Sequence, residues 1–254
     1  MARDTSLLPP KYLLQEVALT QECKELISSL PKEKGYVFSY SYKYEGFWYT
    51  PIHLQGLITC QKYFQAQDSD VFLVTIPKSG TTWLKAIMFT LINRKNYPFA
   101  DKLKPEETGS NSLEDFFDLF CKGVNTCGPF WDNVLDYWNE SKKNSERILF
   151  LKYEELKEEP NLHLRRLAEF LGCPFSADEE ETGMVEEILK LCSFNNLSNL
   201  EINKSTEKLA YGMENKTFFR RGEVGDWKDH LTTDMAKKID QIIEQMFSGS
   251  GLLL

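Results

Sequence analysis

The segment VTIPKSGTTW, residues 74–83, combines side chains that can bind a phosphate. Backbone N–H groups at a helix N-terminus, with the helix dipole behind them, form an anion site. A lysine in such a loop can also neutralise charge that develops on a leaving oxygen. The residues that would form this phosphate-binding loop are Lys78, Ser79, Gly80, Thr81 and Thr82.

The order of residues in this loop differs from that of a Walker A motif. Walker A places its lysine after the second glycine and follows it with a hydroxyl for Mg²⁺, whereas Lys78 precedes Gly80. A P-loop kinase is therefore disfavoured, and no clear magnesium-binding acidic motif supports one. A capped helix start explains the same residues without any ligand, because serine and threonine are preferred N-caps. The residues of the loop alone leave both interpretations open.

A second polar segment, FFRRGEVGDWKDH, covers residues 218–230. Arg220 and Arg221 stand directly before Gly222, and two guanidiniums beside a flexible glycine suit a terminal phosphate. The simpler interpretation of this segment by itself is a solvated turn in which the arginines pair with Glu223 or Asp226.

The short apolar run DVFLVTI has the composition of a parallel strand buried on both faces, and RILFLKYEEL is a second candidate for such a strand. Strands that alternate with helices predict an α/β fold, a parallel sheet flanked by helices. Only two convincing core strands are present, fewer than such a sheet normally contains. The aromatic run YVFSYSYKYEGFWYTP predicts an extended segment. Helices are predicted within residues 20–29, 52–66, 81–94, 112–123, 128–141, 161–172, 181–200 and near the C-terminus.

The length of 254 residues predicts a single domain over 1–254, with a polar N-terminal segment at 1–34 and a flexible tail at 248–254. A formal net charge of -8 argues against general attraction to nucleic acid or an anionic membrane. We find neither a secretory signal nor an apolar stretch long enough to cross a bilayer, so a cytoplasmic protein is expected. The six cysteines are scattered without zinc-site spacing, which predicts free, buried thiols and no metal.

Together, VTIPKSGTTW and RRGEVGDWKDHLT resemble the two signature regions of the cytosolic sulfotransferases, and the plant branch is the closest. The resemblance extends to WYTPIHLQG, GPFWDNVLDYW, ILFLKYEELKEEP and LCSFNNLSNLEIN. It covers nearly the whole chain in the family's order, so it implies a sulfotransferase fold with a P-loop-like strand, loop and helix.

The resemblance implies transfer of a sulfuryl group from 3′-phosphoadenosine 5′-phosphosulfate (PAPS) to a hydroxyl or amine of a small acceptor, without a metal. The loop at 78–82 would hold the 5′-phosphosulfate, and Lys78 would stabilise the leaving phosphate oxygen. The other residues that match the family's nucleotide contacts are Trp83 and Tyr153 at the adenine, Cys192 and Phe194 in the pocket, and Phe218, Arg220, Arg221 and Gly222 at the 3′-phosphate.

One stretch of the family pattern is missing. It normally supplies two strands, the histidine that acts as general base, and an arginine and a serine that bind the 3′-phosphate. Here LINRKNYPFAD runs directly into KLKPEETGSNSLEDFF, which predicts an internal deletion of several dozen residues near Asp101, from a splice form or a shortened gene model.

The chain has only three histidines, and none matches the missing base. His53 is expected to pack or cap a helix, His163 to lie on a solvated helix face, and His230 to lie near a pocket rim. We therefore leave the general base unassigned and predict a sulfotransferase with impaired activity. A catalytically inactive nucleotide-binding or regulatory remnant is the alternative.

The acceptor and the oligomeric state are less well defined by the sequence. The aromatic run suggests a flat apolar acceptor, such as a flavonoid, a steroid or a plant hormone. The dimer motif of other branches, Lys-x-x-x-Thr-Val-x-x-x-Glu, is altered here, because Thr233 and Lys237 replace its valine and glutamate. A monomer or a weak homodimer is therefore expected.

Overall fold

A computed structural model describes residues 19–34, 40–76, 79–95, 113–125, 127–204 and 218–253. Lys78 and the junction at Asp101 lie outside these residues. The elements in chain order are α1 (Gln21–Ser29), β1 (Lys32–Lys34), β2 (Tyr40–Tyr44), β3 (Phe47–Tyr49), α2 (Pro51–Tyr63), α3 (Thr81–Asn93), α4 (Leu113–Cys121), α5 (Phe130–Lys143), α6 (Tyr153–Glu158), α7 (Pro160–Phe170), α8 (Ala177–Glu181), α9 (Met184–Leu191), α10 (Phe194–Asn199), α11 (Glu201–Lys204) and α12 (Thr233–Phe247). The predicted helices are thus observed, and a short 3-10 turn, Asp226–Asp229, precedes α12.

The chain divides into two compact units. The first comprises Met1–Val71, Gly109–Asn139 and Thr232–Leu254, and the second comprises Phe72–Thr108 and Glu140–Leu231. The expectation of a single domain stays a prediction. No helix in the described part of the chain is both long enough and apolar enough to cross a membrane.

The first unit contains the aromatic hairpin formed by β2 and β3. Glu45 and Gly46 connect its strands with φ angles of 49° and 92°, the two positive values that a tight two-residue hairpin turn requires. Trp48 is buried in β3; its N–H donates to the carbonyl of Gly128 at 2.8 Å, and its carbonyl accepts from Cys127 at 2.9 Å. The aromatic run therefore forms an ordered hairpin tied to a neighbouring loop.

The parallel sheet that the sequence predicted is not found among the described residues. Their one sheet has three antiparallel strands in the order β1-β2-β3. The two apolar runs, 71–76 and 148–152, lie outside any strand. A parallel strand exists only when a neighbour completes its ladder of hydrogen bonds, and strand-like composition alone does not supply that neighbour.

The core of the second unit is formed by three helices. Residues at helical spacing on α3, α7 and α9 pack together with the first residue after α9. The buried members are Ile87, Leu91, Leu164, Leu167, Ala168, Val185, Ile188 and Cys192. Leu149 and Leu151, from the second apolar run, pack against this cluster. Helix α3, which begins at the predicted phosphate loop, is therefore part of the core.

The C-terminal end of α3 is held by a buried ion pair. The guanidinium of Arg94, only 4% exposed, donates from Nε to Oε1 of Glu179 at 2.8 Å and stacks on the ring of Phe175 at 4.7 Å. Glu179 also accepts from the N–H of Ser176 at 2.8 Å in a capping box at α8. The remaining guanidinium N–H groups donate to the carbonyls of Leu91, Cys173 and Pro174. This end of α3 is thereby fixed to the α7–α8 connection.

Two predictions from the sequence concern the cysteines and the C-terminal tail. All six cysteines are free as predicted, but only Cys23 and Cys192 are buried, while Cys60 and Cys127 are exposed. Within the expected tail at 248–254, Leu252 is buried, and the carbonyl of Ser250 accepts from Nε1 of Trp138 at 3.1 Å. Ser250 and Leu252 therefore make contacts within the first unit.

Candidate active site

The predicted phosphate loop leads into the N-terminus of α3. Gly80 is the N-cap residue; it has φ 92° and forms no side-chain cap. Ser79 donates its hydroxyl to the carbonyl of Ile76 at 2.7 Å, and the hydroxyls of Thr75 and Thr81 lie 2.5 Å apart. These hydroxyls hold the loop in place, while the first-turn N–H groups of α3, with the helix dipole behind them, form the part suited to an anion.

An aromatic pair covers this loop. A Cβ added at Gly80 would lie 3.1 Å from Cδ2 of Tyr153, a tight contact that the tyrosine ring would relieve by a small shift. The same ring meets Trp83 edge to face, with centroids 5.9 Å apart and an interplanar angle of 79°. Burial, followed by the charge of Glu154, raises the pKa of Tyr153, which keeps its phenol neutral. The structure thus brings together Gly80, Trp83 and Tyr153.

Cys192 is a buried member of the helical core. Its Sγ is 3.6 Å from the hydroxyl of Thr90 on α3, and burial raises the pKa of the thiol. Trp83 packs against the core cluster that contains Cys192. A neutral, buried thiol is a packing group rather than a nucleophile.

The second predicted segment packs on the start of α10. Gly222 has φ 67°, and a Cβ added there would overlap the ring of Phe194, reaching 2.9 Å from its Cγ. Phe194 also meets Phe219 with ring centroids 5.9 Å apart. Gly222 is therefore required by both its backbone angle and its neighbour. Phe194 and Gly222 form a second group of predicted site residues.

The two arginines of this segment pair with acids. Nη2 of Arg220 lies 2.6 Å from Oδ2 of Asp226. Nη1 of Arg221 lies 3.3 Å from Oδ1 of the same carboxylate and also contacts Asp229. The hydrogen bond to Asp229 raises the pKa of Arg221 above its usual value. The pairing with Asp226 agrees with the turn that we considered as an alternative, and the role of Asp229 was not predicted.

Asp226 is largely buried, whereas both arginine side chains are more than half exposed. Because a guanidinium carries five N–H donors, each exposed arginine can donate to a phosphate while it keeps its contact with Asp226. Thr82 and Phe218 are half-buried. Lys78 remains a prediction, since it lies outside the described residues.

The three histidines occupy different environments. Nδ1 of His53 lies 2.7 Å from Oγ1 of Thr50, the N-cap of α2, and burial lowers the pKa of His53. Nε2 of His230 lies 3.8 Å from Oδ1 of Asp226. His163 was predicted on a solvated face, and that prediction is wrong: the residue is 6% exposed, and its Nδ1 has no hydrogen-bond partner among the residues that the structure describes. Its position four residues before Leu167 places it on the buried face of α7 and was the overlooked signal.

Comparison with known proteins identifies the class to which this fold and site belong. The sulfotransferase domain family matches residues 68–108 and 96–251. The chain belongs to the sulfotransferase family. It is 40% identical to cytosolic sulfotransferase 12 of Arabidopsis thaliana, over 96% of this chain and 97% of the relative. Cytosolic sulfotransferase 6 of the same plant is also 40% identical, over 92% and 95% respectively.

Solved structures agree with this assignment. A crystal structure from Arabidopsis thaliana, described as a candidate steroid sulphotransferase, matches with a TM-score of 0.66 and 31% identity, over 94% of this chain and 99% of that chain. A mouse sulfotransferase, SULT7A1, solved in complex with PAP, matches with a TM-score of 0.64 and 22% identity, over 83% and 95%. At that identity the mouse structure supports the fold alone.

The alignment also bears on the predicted gap. It runs over 321 positions with cytosolic sulfotransferase 12, whereas the whole chain has 254 residues, so at least 67 positions (321 − 254) of the alignment have no residue of this chain. The two family matches, 68–108 and 96–251, overlap in the stretch that contains Asp101. A deletion near Asp101 is consistent with both observations.

Proposed function

We propose that this chain binds PAPS at the N-terminus of α3 and transfers its sulfuryl group to a hydroxyl of a small apolar acceptor at a reduced rate. The observation that carries the proposal is the ring of Tyr153, packed on Gly80 and against Trp83 at the start of an uncapped helix. Uncapped N–H groups suit the phosphosulfate, and aromatic faces beside them suit an adenine.

Each charged group has a role in this proposal. The acceptor oxygen attacks sulfur in line; the S–O bond to the 5′-phosphate breaks, and its electron pair stays on the phosphate. Lys78 neutralises that charge, and the dipole of α3 adds to the effect. Arg220 and Arg221 bind the 3′-phosphate with guanidinium N–H groups that are not directed at Asp226 or Asp229.

This mechanism has no assigned general base to take the acceptor's proton. His163 is buried in α7, and Nε2 of His230 lies 3.8 Å from Oδ1 of Asp226. We assign neither as the base, so the proton passes to solvent. Loss of a positioned general base typically costs about two to four orders of magnitude in rate. The proposed enzyme is therefore slow rather than inactive.

We place the acceptor class among flat hydroxylated compounds, flavonoid-, steroid- or hormone-like. The name of the Arabidopsis structure supports a steroid-like acceptor. In the first unit, Tyr40 of the aromatic hairpin is exposed. The names of the relatives support a cytosolic location.

The test is transfer of radiolabelled sulfate from PAPS to phenolic and steroid acceptors by the full chain. Lys78→Ala should abolish the labelled product, because the leaving phosphate loses its counter-charge. Lys85→Ala is the matched control, since Lys85 is an exposed lysine on α3 itself. Equal loss in both variants, or no effect of Lys78→Ala on measurable transfer, would contradict the proposed role.

The alternative, a non-catalytic nucleotide-binding remnant, is favoured by the alignment positions that have no residue of this chain. Thermal unfolding with the product nucleotide PAP separates the two. A ligand that binds only the folded chain raises its melting temperature. A rise without any labelled product would support the remnant, and no rise would contradict both hypotheses.

A further inference from the structure

We propose that Asp226 is a positioning residue for recognition of the nucleotide's 3′-phosphate, because its carboxylate sets the spacing of the guanidiniums of Arg220 and Arg221. This inference rests on the proposed function, which assigns the 3′-phosphate to these two arginines. It gives the carboxylate a role in nucleotide binding beyond that of closing a turn.

One carboxylate contacts both arginines, and it uses a different oxygen for each. Oδ2 of Asp226 lies 2.6 Å from Nη2 of Arg220, and Oδ1 lies 3.3 Å from Nη1 of Arg221. Two neighbouring guanidiniums repel each other, and an anion in contact with both offsets that repulsion. The shared carboxylate therefore holds two like charges side by side, where the several oxygens of one phosphate can accept from both.

The carboxylate is buried, whereas the guanidiniums that it contacts are exposed. The side chain of Asp226 is 8% exposed, against 63% for Arg220 and 52% for Arg221. In an ordinary surface ion pair both partners are solvated, and the pair contributes little. Here the acid is fixed inside the protein and the two arginines reach the solvent. This arrangement suits a pair of cations that is held in place and still accessible to a ligand.

The backbone around this cluster is fixed at two points. Asp226 is the first residue of the 3-10 turn before α12, and Gly225, with φ 83°, is the N-cap of that turn. The N–H of Lys228 donates to the carbonyl of Gly225 at 3.0 Å. Directly after the arginines, Gly222 packs on the ring of Phe194. The position of the carboxylate relative to the arginines is therefore set by the fold of the loop.

Asp229 offers a comparison within the same turn. Residues three apart in a 3-10 helix lie on the same face, so Asp226 and Asp229 both face the arginines. The contact of Asp229 is with Arg221, and its side chain is 58% exposed. It therefore shares the residue type and the turn of Asp226, but not the burial or the contact with both arginines.

An acid beside a phosphate site also has an opposing effect, because it repels the phosphate. For Asp226 this repulsion is reduced by the two guanidiniums in contact with the carboxylate. Ordering a long side chain at a binding site costs about 2- to 12-fold in affinity, and Asp226 orders two of them before the nucleotide arrives. We therefore expect its net effect on binding of the 3′-phosphate to be favourable.

The test compares two nucleotides by isothermal titration calorimetry of the full chain: PAP, and adenosine 5′-monophosphate (AMP), which lacks the 3′-phosphate. The unmodified chain should bind PAP more tightly than AMP. Asp226→Asn should lower this preference about tenfold, because both guanidiniums lose their shared partner, and it should leave the affinity for AMP unchanged. Asp229→Asn is the matched control and should lower the preference much less.

Each result distinguishes this proposal from the function on which it rests. An unmodified chain that binds PAP and AMP equally would contradict the assignment of the 3′-phosphate to the arginines. A preference for PAP that Asp226→Asn leaves unchanged or increases would keep that assignment and overturn the positioning role alone. Equal losses in Asp226→Asn and Asp229→Asn would also overturn it, as would a loss of AMP binding in Asp226→Asn, which indicates a general structural role.

A second set of variants tests whether Asp226 acts through the arginines. In a chain that carries Arg220→Ala and Arg221→Ala, no guanidinium of the pair remains to be positioned. Adding Asp226→Asn to that chain should therefore leave the ratio of PAP to AMP affinity unchanged, because effects that pass through a shared partner are not additive. A further tenfold fall in the ratio would contradict the proposal.

Discussion

Two glycines of the second unit lie against aromatic rings, but the surrounding chain supports them differently. Gly80 packs on Tyr153 at the start of α3, whose other end is fixed by the buried pair of Arg94 and Glu179. Gly222 packs on Phe194 in a loop tied by arginines that are more than half exposed. Buried pairs resist screening by salt and exposed pairs do not. The guanidinium that supports α3 is thus shielded from solvent, whereas the guanidiniums of Arg220 and Arg221 are accessible to a phosphate.

The largest effect on stability is expected from removing the Arg94–Glu179 ion pair, which fixes the C-terminal end of α3. Arg94→Ala should lower the free energy of unfolding by about 3–5 kcal/mol, because it leaves the carboxylate of Glu179 unpaired in a largely buried site. Urea unfolding measures this change. Arg165→Ala is the control, since Arg165 pairs with the adjacent Glu180 at the surface, and its loss should matter far less. Equal effects would show that burial does not distinguish the two pairs.

Low pH should weaken the same ion pair between Arg94 and Glu179. Arg94, followed by the N–H of Ser176, lowers the pKa of Glu179 from 4.5 to about 2. A carboxyl whose pKa is lowered on folding stabilises the folded state fully above its unfolded pKa, and that contribution disappears as pH falls through its folded pKa. Between pH 4.5 and 2 the chain should therefore lose about 2–3 kcal/mol from this group.

Urea unfolding at a series of pH values checks this prediction with Glu179→Gln and Glu180→Gln. In Glu179→Gln, stability should fall much less over that pH range. In Glu180→Gln, most of the fall in stability should remain. A profile that Glu179→Gln leaves unchanged would argue against the ion pair as its source.

Gly222→Ala tests the second glycine contact. It should lower the free energy of unfolding by about 2 kcal/mol more than Gly172→Ala, because the new methyl group overlaps the ring of Phe194. Gly172 has φ 68° and nothing within 4 Å of an added Cβ, so it carries the backbone strain alone. Urea unfolding of both variants gives the difference. Equal losses would mean that the loop moves away from Phe194 without cost.

Gly80→Ala should show the smallest effect, about 1 kcal/mol beyond that of Gly46→Ala, because the ring of Tyr153 must shift by a few tenths of an ångström. Gly46 has the same φ of 92° and open space around it. Urea unfolding measures stability, and the melting-temperature rise with PAP measures binding. A Gly80→Ala variant that binds PAP normally would separate the ring contact from nucleotide binding.

The helices were predictable because their signals are local. The apolar stripe of α3 and the caps at Thr20, Thr50 and Ser193 lie within the segments that they organise. The parallel sheet was not, because an apolar run such as 71–76 forms a strand only with neighbours from elsewhere in the chain. The same limit applies to Gln55, whose Oε1 accepts from Thr20, 35 residues away.

In the candidate site, residue types were more predictable than partners. The two glycines and two arginines follow from the sequence, because few other roles suit them in that order. Tyr153 came from the family resemblance, since nothing in its own segment indicates that its ring would lie on Gly80. The partner Asp229 and the burial of His163 depend on how a turn and a helix face pack, which the local sequence only weakly determines.

Glu179 also determines how the effects of substitutions at Arg94 and Ser176 on stability add together. Its carboxylate accepts from Arg94 and from the N–H and hydroxyl of Ser176. One side chain therefore couples the end of α3 to the beginning of α8. Changes at Arg94 and Ser176 should be non-additive, because residues that share a partner do not contribute independently. The α3–α8 junction is thus a cooperative unit, in which loss of one contact weakens the rest.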